Sequence, residues 1–191
     1  MESLRSSMSL IAFDYETTGL KPHAPGHRIV CAAVAVDQNK VFAFMIPKTK
    51  NERKPFTDLL EDSRISKMGH NIKYEDTWTA VRFRVEVQGW EWDSMQAAHV
   101  LDNRQYITGL KFQVYVNFGV IDYASEITPY LKPTSENEKK FGGNAINRIQ
   151  ELLDQPGGEK KLLKYCAFDS FYEYMLAMKQ IKKLDYDFLP F

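Results

Sequence analysis

Cysteine is scarce in this 191-residue chain: there are two, Cys31 in the apolar run RIVCAAVAV and Cys166 in a helical pattern. Neither has zinc-site spacing, and both read as reduced thiols of a cytosolic-type compartment, with no disulfide assigned. Apolar runs of bilayer length are lacking, and the opening MESLRSSMSLIAF starts with an acid and reaches Asp14 after too few apolar residues for a signal peptide. The expectation is a soluble, intracellular, cytoplasmic protein with no membrane partner. Excess charge of one sign is also lacking, since 25 Lys plus Arg face 25 Asp plus Glu. That balance argues against a tight binder of duplex DNA. The basic residues are nevertheless bunched in KTKNERK (48–54) and EKKLLK (159–164), a pattern that solvated faces commonly show. No internal repeat or linker divides the sequence, so one domain over 1–191 is expected.

What the chain does have is enough apolar and aromatic residues for a real core, at 44% and 13%. SLIAFD, RIVCAAVAV and VFAFMIP are β-branched and aromatic-rich, and DQNK separates the last two, which predicts three antiparallel strands with a hairpin. KPFTDLLEDS predicts a short helix with Pro55 near its start, RISKMGHN a buried strand ending at Gly69, and the stretch from Lys73 through YEDTWTAVRF a second helix. WDSMQAAHVLDN and GLKFQVYVNFGV read as helices, the latter stopped by Gly119. Residues 132–158 read as a flexible excursion carrying one short helix at NAINRIQELLD. The long amphipathic helix EKKLLKYCAFDSFYEYMLAMKQIKKL closes an α/β or α+β layered domain.

The chemistry begins in FDYETTGL. On a strand, Asp14 and Glu16 project to one face and Tyr15 to the other. Two like charges so close repel, and a hard divalent cation such as Mg²⁺ or Mn²⁺ relieves the repulsion; a solvated strand end is the alternative. Tyr165 and Asp169 stand at i and i+4 of the last helix, on one face, where a core Tyr beside a surface Asp is the plain alternative. GHNIKYED adds Asn71 at a turn and Glu75 and Asp76 in the first turn of a helix, where dipole complementarity alone also favours acids.

Taken in order, D-x-E on a first strand, N-x-x-[FY]-acid opening a later helix and Y-x3-D on the last helix resemble the DEDDy 3′–5′ exonucleases. That group of the ribonuclease H-like fold includes the proofreading domains of family A DNA polymerases and the RNase D type ribonucleases. WDSMQAAHVLDN followed by ITGLK resembles the helix pair after the second motif of that group. The resemblance implies a mixed sheet, three antiparallel strands then parallel ones, flanked by helices. It implies two divalent cations, Mg²⁺ or Mn²⁺, with Asp14, Glu16, Glu75 and Asp169 as ligands and Tyr165 orienting the attacking water. Thr17 and Leu20 match positions at the 3′-terminal nucleotide, and Asn71 and Tyr74 positions near the strand backbone. The second-motif acid is Glu75 where the group has Asp, with Asp76 beside it as substitute. The implied substrate is the 3′ end of a nucleic acid, single-stranded DNA ahead of RNA, in proofreading or phage-type replication with a polymerase in cis or in trans. An RNase D-like exoribonuclease and a catalytically silent nucleic-acid-binding module are the alternatives.

Overall fold

The computed structural model describes residues 10–184. The reading of the amino terminus as lacking a signal peptide falls largely outside these residues. Five strands form one sheet in the order β3-β2-β1-β4-β5: β1 (Leu10–Thr17), β2 (Ile29–Asp37), β3 (Lys40–Met45), β4 (Ser66–Gly69) and β5 (Trp90–Asp93). β1 runs antiparallel to β2, and β2 to β3, whereas β4 is parallel to both β1 and β5. This is the mixed sheet the resemblance implies.

The continuous apolar run of β2 is buried on both faces, because helices cover both sides of the sheet's centre. One face carries Ile11, Phe13 and Tyr15 of β1 against Phe56 and Leu60 of α1 (Lys50–Glu61) and Trp78 of α2 (Lys73–Arg82). The opposite face is small, with Ala12, Ala33 and Ala35, and lets the long α7 (Gly158–Lys183) approach closely. There Ser170 Oγ lies 3.0 Å from the Ala12 carbonyl and accepts from the Ala35 amide at 3.1 Å. Alternation along β1 therefore sends Tyr15 to the α1/α2 side and Asp14 and Glu16 toward α7.

Three predicted elements differ, one of them the excursion at 132–158, which holds two short α-helices where one was expected. α1 begins at Lys50, ahead of Pro55, because Thr49 and Glu52 form a capping box that outweighs the proline as a start signal. The stretch WEWD, whose last two residues open the predicted helix, is strand β5, and α3 (Ser94–Leu101) starts only after Asp93, whose carboxylate caps the Met95 and Gln96 amides. α4 (Leu110–Phe118) ends on Gly119 in the left-handed region, as predicted. Residues 132–158 hold α5 (Ser135–Phe141) and α6 (Ile149–Leu153), with Ile149 and Leu152 buried against α7. This segment is tied to the end of β1: the Asn147 amide donates to the Thr18 carbonyl at 2.9 Å, and Asn147 Nδ2 to the Thr17 carbonyl at 2.8 Å. The apolar DYDFLPF end (185–191) lies outside the described residues. Among the described residues no helix is long and apolar enough to cross a membrane.

Candidate active site

β1 ends in a bulge between Glu16 and Thr17, where the register with β2 shifts. Bulges of this kind end pairing and re-aim side chains. Asp14 is partly buried, and Glu16 is nearly so at 7% exposure. α7 supplies Tyr165 and Asp169, both buried on the face turned to the sheet. α2 supplies Glu75, buried to 2% exposure, and of the neighbouring charges that of Asp14 acts on it most. Its neighbour Asp76 points elsewhere, accepting the Trp90 indole N–H at 3.1 Å. Glu75, not Asp76, thus faces the strand acids, as the turn of about 100° per helical residue requires of one of the two.

The loop before α2 is held by Asp93, whose carboxylate accepts the Asn71 and Ile72 amides at 3.0 and 3.1 Å. Asn71 sits at φ +69°, a left-handed conformation that asparagine tolerates better than most residues. The Thr17 and Tyr74 hydroxyls lie 2.5 Å apart, and Thr17 donates to the Gly19 carbonyl at 2.8 Å. Gly19 is required here, since a Cβ would collide with the His27 ring. Beyond it Leu20 stands 73% exposed at the mouth of a cavity of about 750 Å³ lined by Glu16, Thr17, Tyr74, Leu131 and Asn147.

Four further residues join this group. Lys111, at the start of α4, donates to the Tyr165 hydroxyl at 2.6 Å with its ammonium over the same ring. Tyr123, in a turn held by Asp122 accepting the Ala124 and Ser125 amides, donates to Asp169 Oδ1 at 2.5 Å and stacks on Tyr165. Cys166 Sγ lies 3.8 Å from Asp14 Oδ2. Glu173, one turn beyond Asp169, is buried to 2% exposure. Of these, only Glu173 has a sequence signal, because Y-x3-D-x3-E continues one helical face. On the far side of Tyr165 a second cavity of about 680 Å³ is lined by Tyr123, Phe168, Tyr172, Lys160, Lys161 and Lys164.

Burial raises Asp14 and Glu16 well above the usual carboxylate range, followed by the Asp169 charge on Asp14 and the Asp14 charge on Glu16, and burial followed by the Asp14 charge does the same to Glu75. Asp169 is also raised by burial, with Lys111 and the phenol of Tyr123 pulling it back. Tyr165 is pushed up by burial and by the Asp169 charge, so its phenol keeps its proton. Ligand atoms of Asp14, Glu16 and Cys166 all lie within 4.8 Å of one another. Burial pushes the Cys166 thiol up, so it stays protonated and is a poor ligand for a hard cation. The oxygens suit Mg²⁺ or Mn²⁺: those of Asp14 and Glu16 lie within 4.8 Å of each other, and Glu75 Oε2 has no hydrogen-bond partner.

A family model described as 3′–5′ exonuclease matches residues 1–179. Comparison with curated protein sequences finds no match. Among solved structures, Brucella melitensis NrnC bound to pGG is similar at 21% identity and a TM-score of 0.67, over 93% of this chain and 74% of that one. The same protein with bound Mg²⁺ is 17% identical, with a TM-score of 0.53 over 95% and 90% of the two chains. Trypanosoma brucei RNase D in complex with RNA U12 is 16% identical, with a TM-score of 0.63 over 94% and 59%. At these identities the likenesses show the fold alone, a ribonuclease H-like mixed sheet flanked by helices.

Proposed function

We infer that this chain, which belongs to the 3′–5′ exonuclease family, removes nucleotides one at a time from the 3′ end of single-stranded DNA and releases nucleoside 5′-monophosphates. The observation that carries this reading is the close carboxylate pair of Asp14 and Glu16, with ligand atoms within 4.8 Å, set among the buried acids Glu75 and Asp169, a like-charged group that Lys111 offsets only in part. These four would hold two divalent cations, Mg²⁺ or Mn²⁺. Such a pair supplies the missing positive charge, a bound water of lowered pKa and stabilisation of the departing 3′-oxygen.

The chain's own groups do the rest. Tyr165, kept protonated and fixed by Lys111, orients the attacking water through its hydroxyl and does not act as a base. The 3′-terminal nucleotide occupies the 750 Å³ cavity, with Leu20 packed on the base and Thr17, Asn71 and Tyr74 beside its sugar and backbone. The preceding nucleotides lie toward the second cavity, where Tyr123, Phe168 and Tyr172 offer stacking surfaces and three lysines face phosphates. Proofreading or phage-type replication, with a polymerase in cis or in trans, is the setting such an activity serves.

A second reading, an RNase D-like exoribonuclease, is favoured by the similar structures that hold pGG and RNA U12. One experiment separates the readings: 5′-labelled DNA and RNA oligomers incubated with Mn²⁺, Mg²⁺ or EDTA, with Asp14→Ala alongside. A ladder shortening from the 3′ end, faster on DNA and abolished by EDTA and by Asp14→Ala, supports the first. Shortening of RNA alone supports the second. Both oligomers intact at every metal concentration would leave a silent binding module.

A further inference from the structure

α7 places a fifth acid at the centre. Glu173 follows Asp169 by four residues on the same helical face and is buried at 2% exposure, with Oε2 lacking any hydrogen-bond partner. A carboxylate in such a place is costly unless it is paired, hydrogen-bonded or bound to a cation. The charges that act on it are those of Asp14, Glu75, Asp169 and Asp93, all acidic.

Two of these acids are already engaged. Asp93 accepts amides from Asn71, Ile72, Met95 and Gln96, and Asp169 accepts the Tyr123 phenol. Glu75 is not: its Oε2 is orphaned like that of Glu173. A proton shared between Glu75 and Glu173 would satisfy both atoms, yet neither atom has a partner. Two unpartnered carboxylate oxygens, one on α2 and one on α7, therefore remain, and the Asp14 charge acts on both groups.

We propose that Glu173 is an additional metal ligand of this centre, holding with Glu75 and Asp14 one of the divalent cations. The assignment rests on the metal-dependent reading above. It also gives a reason for a glutamate at position 75: a longer side chain helps α2 and α7, which cover opposite faces of the sheet, supply oxygens to one ion.

The test is Mn²⁺ binding to the full chain after metal removal, followed by calorimetry and by the electron paramagnetic resonance signal of free Mn²⁺. Glu173→Gln keeps shape and removes charge. It should weaken one class of Mn²⁺ site by about tenfold or more. Glu75→Gln should weaken the same class, and the double variant should lose less than the product of the two single losses. In EDTA the Glu173→Gln protein should melt above the wild type, and its rise in Tm on adding Mn²⁺ should be smaller. Glu173→Met, which fills the space without oxygen, should give the same loss of Mn²⁺ and serves if the Gln variant does not fold. Binding and Mn²⁺-dependent melting identical to wild type in either folded variant would overturn the assignment alone. A wild-type chain that binds no Mn²⁺ would overturn it together with the proposed function.

Discussion

Two stretches of α7 face the sheet with polar side chains, and they behave oppositely. Ser170 and Gln180 are buried and satisfied: Ser170 bonds the Ala12 carbonyl and the Ala35 amide, and Gln180 accepts the Trp92 indole N–H at 3.1 Å and donates to the Ser94 carbonyl at 2.9 Å. Asp169 and Glu173, on the same helix, crowd against Asp14, Glu16 and Glu75, and orphaned oxygens remain. The first pair fixes how α7 sits on the sheet, because a buried polar group with its partners specifies one packing. The second set raises the energy of the metal-free fold. Stability given up where buried like charges meet without partners marks where a ligand belongs.

The largest break in that comparison is Asp14→Asn. Removing the acid that both Glu16 and Glu75 feel should lower exonuclease turnover by at least about 10³-fold. The same change should leave the protein melting no lower than wild type in EDTA, since it removes a buried charge. Activity assays paired with calorimetry check both halves.

A smaller effect is the pH dependence of metal stabilisation. Asp14, Glu16 and Glu75 have folded-state pKa values above their unfolded values, so between the two the folded chain holds more protons. Stability of the metal-free protein from these groups is therefore present at low pH and is lost as pH rises. Metal displaces those protons, so the stabilisation by Mn²⁺ should grow from pH 5 to pH 8, reaching about 2.7 kcal/mol at a hundredfold excess over Kd. Melting curves with Mn²⁺ and with EDTA across that range give the slope. A gain that shrinks as pH rises would contradict the assigned shifts.

Ser170→Ala tests the satisfied side. It strips the Ala35 amide of its side-chain partner in a buried place and should cost about 2 kcal/mol of stability. Mn²⁺ affinity should stay unchanged, as measured by denaturant unfolding beside metal titration.

The difference between the two stretches also explains what the sequence could and could not convey. Alternation in β1 placed Asp14 and Glu16 on one face, and helical spacing did the same for Tyr165 and Asp169, because both patterns are local. The antiparallel half of the sheet followed from three apolar runs before the first helix, and its parallel half was what the family resemblance implied. β5 escaped because four residues, WEWD, carry too little periodicity to separate a strand from the helix that Asp93 caps. Lys111 and Tyr123 are distant from α7 in sequence, and only the tertiary fold brings them to Tyr165 and Asp169. Whether Glu75 or Asp76 turns inward depends on the angle at which α2 leaves the Asn71 turn, which the sequence does not encode locally.

The smallest expected effect lies on the solvent side of α7, where polarity is neither satisfied nor strained. Lys160 and Lys164 are exposed at the second cavity, Lys164 with its ammonium over Phe168, while Lys161 pairs with Glu126 at 3.2 Å. Exposed charges cost the fold little, so Lys160→Glu with Lys164→Glu should shift Tm by no more than about 2 °C. If preceding nucleotides run along this face, KM for a long oligomer should rise about threefold to tenfold at low salt, with kcat nearly constant. The difference from wild type should fade as salt rises, and it should be smaller for a dinucleotide, which presents fewer phosphates to this face. An equal loss on dinucleotide and long oligomer would place the strand elsewhere and leave these lysines as an ordinary solvated surface.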